Sequence, residues 1–196
     1  MSLGRLLSAV RTCTAYNDLP LGPRPVLQIG KLARLLIVGQ APGRKVHETG
    51  VPWNDASGER LREWMGIDRT VFYDETRVAI VPIGLCYPGS DPRGGDKPPR
   101  RECAPLWHAD LLAHLNNVRL TLLVGHHAQH FYLRSAGKGT MTDTVRAFRE
   151  YAPRFMPLPH PSWRSTIWMR RNPWFEATVL PELRCTVRAL IRPCAP

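Results

Sequence analysis

The sequence predicts an α/β fold: a three-layer sandwich with a central four-stranded, mostly parallel sheet flanked by helices, formed as one domain over residues 1–196. Two observations lead there. Four short apolar runs with the look of buried strands alternate with stretches whose apolar residues recur at helical spacing, the pattern of a sheet covered on both faces. The chain has 196 residues, 43% of them hydrophobic, enough for one domain with a real core.

The first strand is expected over 34–38, where Arg34 leads into Leu35-Leu36-Ile37-Val38. A polar loop with Gly43, Gly50 and Pro52 follows, and a helix starts near Ser57, with Leu61, Trp64 and Met65 on one face. The second strand is expected over 77–81. Residues 86–99 hold Pro88, Gly89, Pro92, Gly94, Gly95, Pro98 and Pro99, which forbid regular structure. A loop that long inside a compact domain is usually functional or disordered. A second helix is expected over 101–115, with Cys103, Leu106, Trp107 and Leu111 turned inward. The third strand is read at 120–124, and a helix over 126–133 follows it. Thr142 or Asp143 caps a further helix reaching Tyr151. The fourth strand, 154–158, runs into His160. Asn172-Pro173 reads as cap and first turn of the last helix, which kinks or restarts at Pro181. With right-handed crossovers all four strands end on one edge, so the loops 39–43, 82–90, 125–130 and 159–165 line a common cleft.

The chain carries 27 Lys and Arg against 16 Asp and Glu, a formal charge of +11. That balance favours a polyanionic partner, nucleic acid ahead of anionic membrane; the other reading is a solvated basic surface. No apolar run is long enough to span a bilayer, and the first ten residues hold only a short apolar patch without a cleavage signal. Five cysteines, Cys13, Cys86, Cys103, Cys185 and Cys194, form an odd, scattered set. Such a set speaks against a disulfide framework and for a reducing cytoplasm. A monomer is expected.

Two short loops concentrate the chemistry. Gly39-Gln40-Ala41-Pro42-Gly43 follows the first strand, and its glycines let backbone approach a ligand closely. His160-Pro161-Ser162 follows the fourth. An imidazole held at a strand end can donate to an oxygen that gains charge in a transition state, and Ser162 can hold a phosphate. Each loop has a plain alternative: a strand-terminal turn, and a histidine satisfied by a neighbouring carbonyl. Trp53, in Val51-Pro52-Trp53-Asn54-Asp55, offers an indole for stacking on a base or for core packing. Trp163, Arg164, Trp168, Arg170, Arg171 and Trp174 interleave aromatics with cations, which suits phosphates and unstacked bases; the alternative is a loop with snorkelling arginines. His126 and His130 share a helix face, but no third ligand lies at a motif spacing, so no metal is expected there.

Taken in order, these segments resemble the uracil-DNA glycosylase superfamily, and within it the branch that carries an iron–sulfur cluster. The matching segments are Gly39–Gly43, Gly50-Val51-Pro52-Trp53 with Ser57-Gly58, and His160–Ser162. Any one is weak; the ordered set, running from Cys13 to about Glu176, is fairly specific. Cys13, Cys86 and Cys103 match three of the four cluster positions, and Tyr16 occupies the remaining one. The resemblance therefore implies a 4Fe-4S site that is one thiolate short. The alternative is three cysteines packed as small hydrophobes. Gln40 stands where that branch has Glu. Ala41 stands where other branches have Asp or Asn. Pro82 stands where an Asn reads the uracil edge, and Arg164 where some branches place a Leu wedge.

The resemblance implies a glycosylase that flips a deoxynucleotide out of the DNA stack and hydrolyses its N-glycosidic bond, with uracil or another deaminated base as leaving group. His160 would stabilise the departing base, and Gln40 with the 39–43 backbone would orient the water. Asp55 or Glu48 would be the nearby carboxylates able to compensate for Gln40 and Ala41. Trp53 and the 39–43 loop would hold the base. Ser57, Ser162, Trp163 and Arg164 would contact the DNA backbone. The missing carboxylates leave a second expectation open: a glycosylase-fold protein that grips DNA or lesions without turnover. A third is hydrolysis of a nucleotide-like small molecule in the same pocket.

Overall fold

A computed structural model of the chain describes residues 1–92 and 94–191. Four strands, β1 (Leu35–Val38), β2 (Val78–Ile80), β3 (Leu120–Val124) and β4 (Phe155–Leu158), form one sheet in the order β2-β1-β3-β4. Every pairing is parallel, with Leu36 opposite Ala79 and Thr121, and Leu122 opposite Met156. The expected mostly parallel sheet is thus wholly parallel. Side chains alternate along each strand, so Leu35 and Ile37 enter one apolar layer while Leu36 and Val38 enter the other. Burial on both faces explains why these strands read as unbroken apolar runs.

The edges are managed differently. Gln28 exchanges two backbone hydrogen bonds with Ile80 (2.9 and 2.7 Å) and closes the outer side of β2. β4 is the other edge and tolerates Pro157, which has no N–H to give to a ladder.

The Leu36 face is covered by α1 (Leu3–Arg11), α5 (Cys103–Leu112) and α6 (His126–Leu133). The Leu35 face is covered by α3 (Ala56–Met65) and α9 (Leu180–Ile191), with Phe175 fully buried between. Short helices α2 (Arg44–Thr49), α4 (Arg69–Phe72), α7 (Met141–Arg146) and α8 (Arg164–Arg171) join them. Among the described residues no helix is long and apolar enough to cross a membrane.

Several expected boundaries move. α5 begins at Cys103 and ends at Leu112 rather than spanning 101–115, and Leu106 faces solvent instead of the core. Thr140, not Thr142 or Asp143, caps α7: its Oγ1 accepts from the Asp143 amide at 3.1 Å. That helix stops at Arg146 and a 3₁₀ turn carries on to Tyr151. α1, α2, α4 and α8 were not expected. α1 has an apolar stripe only two turns long, with Leu6 and Val10 buried four residues apart. The last helix does change at Pro181: a π turn over Phe175–Val179 precedes α9, which places Pro181 in its first turn, where the missing amide is no loss.

Candidate active site

Because the strands are parallel, the loops after β1, β2 and β4 leave the sheet on one edge. They enclose a cavity of about 490 Å³, within the usual range for small-ligand sites. Gly39, Gln40, Ala41, Pro42 and Gly43 line it from the β1 end. Trp53 and Ser57 line it from the start of α3, and His160, Ser162, Trp163 and Arg164 from the β4 end. Residues 120 positions apart in sequence thus share one wall-to-wall space. Two expected loops contribute less: only Pro82 of 82–90 lines the cavity, and none of 125–130 does. Gly125 instead lies under His160; a Cβ there would sit 3.2 Å from that of His160, and its φ of +86° is one that side chains rarely adopt.

The Trp53 wall is tightly determined. Its backbone is left-handed, φ +56°, a conformation costing on the order of 1–3 kcal/mol for a bulky residue. Tyr73 donates its hydroxyl to the Pro52 carbonyl at 3.0 Å, and Arg62 donates Nη1 to the Trp53 carbonyl at 3.3 Å. Arg62 is buried, its guanidinium 5.2 Å from the Phe72 ring centre. Gly58 leaves room for this carbonyl; a Cβ would fall 1.8 Å from the Trp53 oxygen. The indole itself rests on Gly39, where a Cβ would meet Cζ2 at 2.7 Å.

His160 faces that indole, the ring centres 5.6 Å apart and tilted by 33°. Burial pushes the imidazole down to about 4, with Asp55 opposing and His127 adding to the shift. At neutral pH it is an uncharged ring with one N–H to donate. Its loop is held from several sides. Ser165 Oγ donates to the His160 carbonyl. Arg60 Nη1 donates to the Ser162 carbonyl at 2.6 Å, and Gln129 Nε2 to the Leu158 carbonyl at 2.8 Å. Behind Pro82, His108 Nε2 lies 2.9 Å from the Pro82 carbonyl, which can only accept. The proton therefore sits on Nε2, and Nδ1 accepts from the Tyr132 hydroxyl at 2.8 Å. Burial lowers the His108 pKa, in keeping with this neutral form.

Of the two carboxylates considered for a compensating role, Asp55 reaches the cavity and Glu48 does not. Glu48 pairs with Arg44 at 2.9 Å on an exposed helix face. Asp55 caps α3, its Oδ1 accepting from the Gly58 amide at 2.8 Å. A second carboxylate, Asp96, also lines the cavity. Sequence reasoning did not single it out; its one signal was membership of the long 86–99 loop. Asp96 is exposed as a residue, but partial desolvation of its carboxyl at the cavity wall and then the charge of Asp55 hold its pKa above the ordinary value. Arg164, expected on a DNA backbone, extends to that loop, with Nη2 3.5 Å from the Gly94 carbonyl.

Cys13, Cys86, Cys103 and Tyr16 do come together, around a second, far smaller cavity of about 20 Å³. Their chemistry does not fit a four-thiolate cluster. The fourth position is a phenol that donates to Glu102 at 2.8 Å, and the Arg100 cation lies 5.3 Å from its ring centre. Cys103 Sγ accepts from the Leu85 amide at 3.3 Å, and burial pushes the Cys86 thiol up to about 11. Among the described residues no group of three His, Cys, Asp or Glu is set to hold a metal ion. Cys185 is exposed, and Cys194 lies outside the described residues.

The fold can be superposed on a solution NMR structure of a Methanosarcina acetivorans protein described as a candidate uracil DNA glycosylase. The TM-score is 0.46 at 16% identity, over 86% of this chain and 99% of the other. A family model of the uracil DNA glycosylase superfamily matches residues 28–184, a span holding all four strands, the glycine corner, Trp53 and the His160 loop. The chain belongs to the uracil DNA glycosylase superfamily.

Proposed function

We propose that this protein is a monofunctional DNA glycosylase that hydrolyses the N-glycosidic bond of uracil or another deaminated base in DNA. One observation carries the reading: the neutral His160 ring and the Trp53 indole lie side by side, 5.6 Å apart, in the wall of a cavity of nucleobase scale that residues 39–43 also line. A base flipped into that space stacks on Trp53, an interaction worth about 1–3 kcal/mol. As the C1′–N bond stretches, negative charge grows on a base oxygen and positive charge on the sugar. His160 donates its N–H to that oxygen; a preorganised donor of this kind contributes about 10²–10³ in rate. Gln40 and the 39–43 amides hold the attacking water. Among the described residues no lysine lines the cavity, so the product is an abasic site formed by hydrolysis rather than by a Schiff base.

The DNA partner is held outside the cavity by Ser57, Ser162, Trp163 and Arg164. Trp163 is 70% exposed beside the mouth, and Ile167, one helical turn on, is 52% exposed. We assign no iron–sulfur chemistry to the reaction, because the donor set at Cys13, Cys86 and Cys103 lacks its fourth thiolate. The protein acts as a cytoplasmic monomer in this reading.

The test is a panel of oligonucleotides carrying uracil, hypoxanthine or xanthine in single strands and mispairs, treated with alkali after incubation. Wild type is expected to give strand breaks at a deaminated base, and His160→Ala to be about 100-fold slower or more. The absence of side-chain bases at Gln40 and Ala41 favours a second reading, a lesion binder without turnover. Tight, salt-sensitive binding to abasic or uracil-containing DNA with no break on any substrate would establish that reading instead.

A further inference from the structure

The proposed hydrolysis needs an acceptor for the water proton, and neither Gln40 nor Ala41 is one. The ionisable groups lining the cavity among the described residues are Asp55, Asp96, His160 and Arg164. Both carboxylates approach the same point. Measured from where a side chain at Gly43 would begin, Asp96 Oδ2 is 3.3 Å away and Asp55 Oδ2 3.9 Å. Gly43 thus leaves open a space flanked by two carboxylate oxygens, at the end of the glycine corner expected to hold water.

The two acids are not equivalent. Asp55 is anchored, one oxygen committed to the α3 cap. Asp96 is carried by a tight hairpin. Asp91 N–H donates to the Gly95 carbonyl at 2.8 Å, Lys97 N–H donates to the Gly89 carbonyl at 2.8 Å, and Ser90 bridges Asp96. At the hairpin tip, Gly94 and Gly95 take φ of +95° and +88°, with the Arg164 guanidinium beside Gly95. The same Arg164 follows the His160 loop, so the hairpin is clasped to the His160 side of the cavity. Among the described residues the Asp96 carboxylate accepts no hydrogen bond and forms no ion pair, whereas the Asp55 carboxylate accepts from the Gly58 amide.

We infer that Asp96 is the catalytic proton acceptor for the attacking water, and that Asp55 is the fixed carboxylate that positions this water. The inference rests on the glycosylase reading above. In the step itself the C1′–N bond breaks, with its electron pair leaving on the base, while the water oxygen bonds to C1′. One water proton passes to Asp96 and returns through solvent to the released base. Partial desolvation at the cavity wall and the Asp55 charge, which raise the Asp96 pKa, both make it a better acceptor.

The experiment is single-turnover base release by wild type, Asp96→Asn and Asp96→Ala on the best deaminated substrate, with and without sodium azide. Binding to abasic-site DNA is measured alongside. Azide attacks C1′ without shedding a proton and so needs no acceptor. Expected results are a loss of about 100-fold or more in both variants, unchanged abasic-DNA binding, and an azide-dependent recovery in Asp96→Ala that yields a 1-azido sugar. A variant within about threefold of wild type, no recovery with azide, or loss of DNA binding would overturn the role of Asp96 while leaving the glycosylase reading intact. Wild type inert on every base overturns both.

Discussion

At the scale of single residues, the site is built on contacts too close to vary. Gly39 carries the Trp53 indole, and a methyl there would fall 2.7 Å from a ring carbon that cannot bend away. Gly39→Ala is therefore expected to tilt the indole off the cavity and weaken binding of DNA with a flipped base by about 1–3 kcal/mol, the worth of one stack. Competition titrations against undamaged duplex measure it. His160 makes a second residue-scale prediction. Its folded pKa of about 4 lies below the unfolded value of 6.5, so the unfolded chain binds more protons between these limits. Stability from the neutral ring is complete above pH 6.5 and is lost as pH falls toward 4. The difference is worth about 3 kcal/mol. Urea melts at pH 7 and 4.5 should show wild type losing about 2–3 kcal/mol more than His160→Gln does. Equal losses would mean that the ring is already hydrated. His160 was legible in the sequence because a histidine followed by proline at a strand end has a fixed direction. Asp96 and Arg60 were not, since their roles depend on contacts spanning the molecule, 102 residues apart for Arg60 and Ser162.

At the scale of elements, the strands were the most readable. Burial on both faces leaves no choice but a continuous apolar run, as in Leu35–Val38 and Leu120–Val124. Helices were less so when they lack a capping signal or a wide apolar stripe. Trp163, just before α8, offers no side-chain cap, and only Ser165 of the helix's eight residues is buried; its cations and aromatics also read as a loop. The junction between the segment after α1 and the start of α5 shows what elements can conceal. Tyr16 bonds Glu102, and Asp18 pairs with Arg100, so a polar clasp spans the position where a fourth thiolate would close a cluster. Tyr16→Cys removes the phenol and completes the thiol set. After anaerobic treatment with iron and sulfide, that variant is expected to bind iron and gain a visible absorbance band, while wild type gains neither. A brown wild-type protein would show that three cysteines suffice and that the clasp opens.

At the scale of the whole molecule, the charge of +11 was the first hint of a DNA partner, and the fold gives part of it a location. α8 leaves the cavity mouth with Arg164, Arg170 and Arg171 exposed around Trp163 and Ile167. A solvated basic surface and a DNA face differ in one measurable respect. Cations that neutralise phosphates release counterions, so log K falls with log salt by about 0.9 for each contact on duplex DNA. Arg170 and Arg171 lie outside the cavity lining, so their removal touches the partner and not the chemistry. The double variant Arg170→Ala/Arg171→Ala is expected to flatten the salt slope by about 1–2, to weaken binding to all sequences alike, and to leave the single-turnover rate on saturating DNA unchanged. Arg164→Ala should behave differently, because that guanidinium also clasps the Asp96 hairpin: its rate at saturation falls as well. If the double variant keeps the wild-type slope, α8 is not the DNA face, and the positive charge that matters lies elsewhere on the surface.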